Sequence, residues 1–130
     1  PHGLPVSVLP ELRELSFGDW EGLSESEIAE RYGVDFYRNW KEDPGVIPIP
    51  RGESLDNLLT RSLAGIEKIK ACHPQERVLL VTHGGNMMAL GCHFNEEPLS
   101  RFWDYFPDNS AVYTLTMKDD GLSLVAKLEE

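Results

Sequence analysis

At 130 residues, 41% hydrophobic and 26% charged, the chain has the size and make-up of one globular domain with a core of its own. A formal net charge of −10 and a pI near 4.8 exclude nucleic acid and anionic membrane surfaces as expected partners, since both demand clustered Lys and Arg. No apolar run is long enough to span a bilayer, and no stretch reads as a signal peptide. Cys72 and Cys92 have neither CxxC spacing nor zinc-like His neighbours, so reduced, buried thiols and a cytoplasmic setting are expected. Pro1 is not a natural start residue, and the expectation is a chain that has lost preceding residues.

In chain order, Val6-Ser7-Val8-Leu9 reads as a short strand. Residues 12–22 mix charge, aromatics and glycine without a period, the mark of a structured loop, and loops carry sites. Ser24 with Glu27 forms a capping box that predicts a helix ending at Gly33. Phe36 and Trp40 share one face of a second helical stretch over 34–43. After a proline-rich connection, Ser54 is a good N-cap for a long helix over 55–71, with Leu55, Leu58, Leu59, Leu63, Ile66 and Ile69 as its apolar stripe. His73 lies at that helix's end, as a dipole partner or simply exposed.

Residues 77–82 then form a continuous branched apolar run, suited to a parallel strand covered on both faces. Thr82-His83-Gly84-Gly85 hands over to a helix from Asn86 to about Phe94. Pro98 opens another short helix. Residues 111–117 alternate as a strand, Lys118-Asp119-Asp120-Gly121 signals a hairpin, and 122–128 return as the partner strand. Strands alternating with helices make the class α/β.

His83 is the first candidate for chemistry, because ligands of open α/β sheets bind where a strand ends and a helix begins. The free N–H groups there favour an anion, two glycines let the backbone come close, and imidazole changes charge near neutrality. Glu14, Asp19 and Glu21 are the candidate general acid/base carboxylates of the aromatic loop, and spacing does not choose among them. Arg13 and Arg51 could hold an anion, and Glu53 could serve only the helix dipole. His93 reads as packing and His2 as a terminal residue. No GxGxxG, P-loop or HExxH motif is present.

Three motifs in order, Leu12-x-Glu14-x-x-Phe17-Gly18-x-Trp20-Glu21-Gly22, Pro50-x-Gly52-Glu53-Ser54 with Arg61 downstream, and Val81-Thr82-His83-Gly84-Gly85, closely resemble the histidine phosphatase superfamily. This is the phosphoglycerate mutase-like group that includes α-ribazole phosphatases. The resemblance implies a three-layer α/β/α sandwich on a mostly parallel sheet. It implies His83 as the second active-site histidine, bonded to the transferring phosphoryl group, and Glu14 as the acid that protonates the leaving oxygen and later activates water. Gly84 and Gly85 would approach the phosphate, and Asn109 would lie in a variable segment that meets the substrate. The substrate would be a small phosphorylated molecule, with no metal or other cofactor.

The family's Arg-His-Gly motif, whose histidine becomes phosphorylated, is absent from these residues, as is its Ser/Arg-Ala-x-x-Thr-Ala helix start. Both would precede Pro1, in two βα units of roughly 30 residues each. A homodimer, or pairing with an N-terminal segment, would then cover the open sheet edge. The leading expectation is a phosphomonoesterase whose nucleophile lies outside this chain. A phosphoglycerate mutase and an inactive binding or dimerisation module are the alternatives.

Overall fold

The computed structural model describes residues 2–118 and 121–128, with side chains described as far as residue 116. Single 3-10 turns at Pro10–Leu12 and Gly18–Trp20 shape the first loop. Four helices follow: α1 at Glu25–Tyr32, α2 at Val34–Glu42, α3 at Leu55–Cys72 and α4 at Gly84–Phe94. A 3-10 segment at Leu99–Tyr105 leads to strands β1 (Val112–Lys118) and β2 (Gly121–Leu128).

The helix starts follow their local chemistry. At α1 the capping box closes in both directions: the Ser24 N–H donates to Glu27 Oε2 at 2.8 Å, and the Glu27 N–H donates to Ser24 Oγ at 3.4 Å. At α3 the Asn57 N–H donates to Ser54 Oγ at 3.2 Å. The buried face of α3 is Leu55, Leu58, Ser62, Gly65 and Ile66, so the apolar stripe is interrupted by a serine. Helix α4 begins at Gly84, two residues before the expected start, and both glycines are helical rather than part of a turn.

One apolar core joins the loop to the helices. Trp20, 3% exposed, makes edge-on contacts with Tyr32, Phe36, Tyr37 and Trp40 at centroid distances between 5.1 and 6.2 Å. Trp40 then meets Trp103 of the 99–105 segment at 5.3 Å. Such pairs contribute about 0.5–1.5 kcal/mol each beyond area burial. Leu58, Ala89, Cys92 and Phe102 are closed off completely or nearly so, and α4 packs between α3 and the 99–105 segment.

The strands depart from expectation. Among the described residues the sheet has two strands, β1 and β2, paired antiparallel from Val112↔Leu128 to Lys118↔Gly121 with an irregularity between Thr114 and Leu115. The expected hairpin partner is therefore present, while the turn at Asp119-Asp120 lies outside the described residues. Residues 6–9 and 77–82 are not ladder strands, although both have strand composition. A strand exists only through its neighbour's N–H and C=O groups, and neither run has one among the described residues. Val6, Val8, Leu79 and Val81 stand between 85% and 93% exposed, so the two-faced burial expected of 77–82 is not met. Nor do the described residues form the parallel sheet and three-layer sandwich. Cys92 is buried as expected, and burial pushes its thiol up to about 11, whereas Cys72 is exposed.

Candidate active site

The loop after the first 3-10 turn is pinned by alternate burial. Leu12 and Leu15 are 5% and 4% exposed, and Glu14 stands between them at the edge of the core. Its carboxylate accepts the Leu15 N–H at 2.7 Å, and the Gly85 N–H reaches Oε1 at 3.1 Å and Oε2 at 3.4 Å. Gly85 lies in the first turn of α4, where N–H groups have no partner within the helix and the dipole end is positive. The group that the helix start holds here is thus the carboxyl of the chain's own Glu14. Gly85 is required by this approach: a Cβ there would stand 2.4 Å from Glu14 Oε1. At Gly84 a Cβ would meet only Pro107 Cγ, at 3.9 Å.

Behind the loop sits a polar cluster that holds its backbone. Arg61 of α3, with 12% of its side chain exposed, forks onto Glu53: Nε donates to Oε1 at 2.6 Å and Nη2 to Oε2 at 2.7 Å. Its other donors go to main-chain carbonyls, Nη1 to Glu11 and Arg13 at 2.7 Å each and Nη2 to Glu14 at 3.0 Å, with a longer contact from Nη1 to Asn86 Oδ1 at 3.4 Å. Asn86 of α4, fully buried, donates Nδ2 to the carbonyls of Leu12 at 3.3 Å and Arg13 at 2.7 Å, and its Oδ1 lies 2.7 Å from Ser62 Oγ. Thr82 Oγ1 donates to the Leu12 carbonyl at 2.8 Å. Every carbonyl from Glu11 to Glu14 is bound by a side chain from elsewhere. Burial pushes the Glu53 carboxyl up, but the Arg61 hydrogen bond and charge, the Ser16 N–H and the Arg13 charge outweigh it and hold the group below its ordinary range.

The three carboxylates that spacing left open are now distinguished. Glu14 meets the helix start, Asp19 pairs with Arg51, and Glu21 lies near Ser16 Oγ at 3.4 Å. A cavity of about 960 Å³ is lined by Glu14, Gly84, Gly85 and Asn109 together, with Phe17, Trp103 and Phe106 among its apolar walls. His83 caps α4 with extended backbone (φ −117°, ψ 165°). It is exposed and is not itself part of the lining, although its chain neighbours Thr82 and Gly84 are. The ionisable lining includes Glu14, Glu76 and Asp108 beside Lys70 and His73. Arg13 and Arg51 are not drawn into the cavity: Arg13 lies 3.6 Å from Glu53, and Arg51 is held by Asp19. His93 is exposed, its ring 5.1 Å from that of Phe94, and His73 lies 3.4 Å from Glu76.

Sequence reasoning named Arg61 within the second motif without giving it a role, and it missed Asn86 as part of the site. A signal was available: the 3/4 spacing of α3 from Leu58 asks for an apolar residue near 61 and 62, and Arg61-Ser62 stands there instead.

Residues 1–129 match the model of the histidine phosphatase superfamily (branch 1), and the chain belongs to that family. It is 31% identical over 123 residues to putative phosphoserine phosphatase 2 of Hydrogenobacter thermophilus, covering 95% of this chain and 60% of that protein. Among solved structures, Bacillus stearothermophilus YhfR superposes with a TM-score of 0.81 at 27% identity, over 88% of this chain and 56% of that one. The alpha-ribazole phosphatase from Shigella flexneri shares the fold, with a TM-score of 0.79 at 22% identity over 96% and 61% of the two chains. The fold is therefore that of the histidine phosphatases and phosphoglycerate mutases, and the chain spans less than two thirds of the length of these relatives.

Proposed function

We propose that the whole protein is a phosphomonoesterase of small phosphorylated substrates, acting through a phosphohistidine whose histidine lies outside these 130 residues. The observation that carries this reading is the Glu14 carboxylate resting on the first turn of the helix that His83 caps. The nucleophilic nitrogen attacks phosphorus, and the P–O bond to the leaving group breaks. The Glu14 carboxyl gives its proton to the departing oxygen. Glu14, now a carboxylate, takes a proton from water, the water oxygen attacks phosphorus, and the N–P bond breaks to release phosphate.

His83 would bond the equatorial oxygens from its place between the cavity-lining Thr82 and Gly84, while Gly84, Gly85 and Asn109 line the space for substrate. Phosphoryl transfer is driven by positioning and by positive charge. The described cavity supplies few cations, so the rest of the charge would come with the nucleophile. The same missing part would pair the exposed 77–82 run, completing a mostly parallel sheet within a three-layer sandwich as a single domain. This reading places the protein in the cytoplasm and needs no metal. The likeness to putative phosphoserine phosphatase 2 supports hydrolysis, while 34% identity over 95 residues to a 2,3-bisphosphoglycerate-dependent phosphoglycerate mutase keeps isomerisation as the second reading.

The test is His83→Ala in the whole protein, assayed on sugar phosphates, phosphoserine, nucleotides and phosphoglycerates. Turnover is expected to fall about 100-fold or more, with the thermal midpoint nearly unchanged. Wild-type hydrolysis by that variant would remove His83 from the mechanism. Isomerisation of phosphoglycerate without net hydrolysis would assign a mutase.

A further inference from the structure

We propose that Arg61 is a positioning residue for the reaction: it fixes the main chain that carries Glu14, and it does not bind phosphate. This rests on Glu14 being the acid and base of the proposed mechanism. An arginine has five N–H donors, and here all five are committed. Two go to Glu53 and three to the carbonyls of Glu11, Arg13 and Glu14. None is left for a ligand.

The fork onto Glu53 orients the guanidinium plane, and the carbonyl bonds transmit that orientation to the loop. The bond from Nη2 goes to the carbonyl of Glu14 itself. Asn86 and Thr82 hold the remaining carbonyl, that of Leu12, from the segment that also carries His83 and Gly85. The cluster therefore ties the acid's backbone to the helix start against which its carboxylate rests. Displacing a catalytic group by about 1 Å can cost about 100-fold in rate, and without Arg61 the loop loses three of its anchoring bonds.

The test uses the whole protein and a series of aryl phosphates from phenyl to p-nitrophenyl phosphate. Proton donation matters most when the leaving oxygen is basic and least when it is a stable anion. For Arg61→Ala, kcat/KM is expected to fall about 100-fold on phenyl phosphate and about 10-fold or less on p-nitrophenyl phosphate, steepening the dependence on leaving-group basicity. Millimolar guanidinium should restore part of the loss. Glu14→Gln should show the same steepening without rescue.

If Arg61→Ala does not fold, Arg61→Lys serves in its place. It keeps a charge beside Glu53 but lacks the fork, and the same steepening is expected. An equal loss across the series, or no loss, would overturn the positioning role. A flat series in Glu14→Gln would instead overturn the reading of Glu14 on which the inference rests.

Discussion

At Gly85 the missing side chain has a definite use. Any Cβ would meet the Glu14 carboxylate, which is the end of a flexible side chain and moves at little cost to folding. Gly85→Ala should therefore leave the whole protein folded while pushing Glu14 off the helix start, with kcat/KM down about 100-fold. Because the clash acts through Glu14, the double variant with Glu14→Gln should be no slower than Glu14→Gln alone, which steady-state kinetics on one substrate will check. Spacing alone did not choose among Glu14, Asp19 and Glu21; only the resemblance of the loop to a family motif singled out Glu14. The physical contact that sets Glu14 apart is with a helix start some seventy residues away, which local spacing does not encode.

At the scale of elements, the sequence spoke most clearly where bonds are local. The capping box of α1 and the N-cap of α3 involve residues three apart, and both form as expected. The Glu53–Arg61 pair sits between the two regimes: its members are eight residues apart, yet its purpose appears only against the loop at 11–14. The pair also links stability to pH. A carboxyl held below its ordinary range contributes stability that is fully present above the unfolded value, about 4.3 for glutamate. That contribution is lost as pH falls through the depressed folded value. Glu53→Gln leaves the Arg61 charge nearly buried and unpaired, and should cost about 3 kcal/mol at neutral pH. In urea unfolding at a series of pH values, the gap from wild type should narrow as the solution is acidified below that range. A gap that stays constant would remove Glu53 from the acid response.

For the molecule as a whole, composition predicts strands at 6–9 and 77–82 that the described residues do not form. Residues 6–9 and 77–82 carry the branched apolar side chains of a buried sheet, and the described residues leave them uncovered. A local reading sees the side chains and not the neighbour, and a strand is defined by its neighbour. By contrast, the three motifs that carry the resemblance were legible because each is a local run of residues, and the family model matches residues 1–129.

The uncovered valines and leucines have a colloidal consequence. Copies of the 130-residue chain are expected to attract one another through these patches, against the repulsion of a charge of −10 on each. Added salt shortens the reach of the repulsion to about 10 Å at 0.1 M and leaves the attraction untouched. Light scattered by a dilute solution of the chain should therefore climb as sodium chloride is raised, and scattering that falls with salt would show that charge pairing, not apolar contact, brings the copies together.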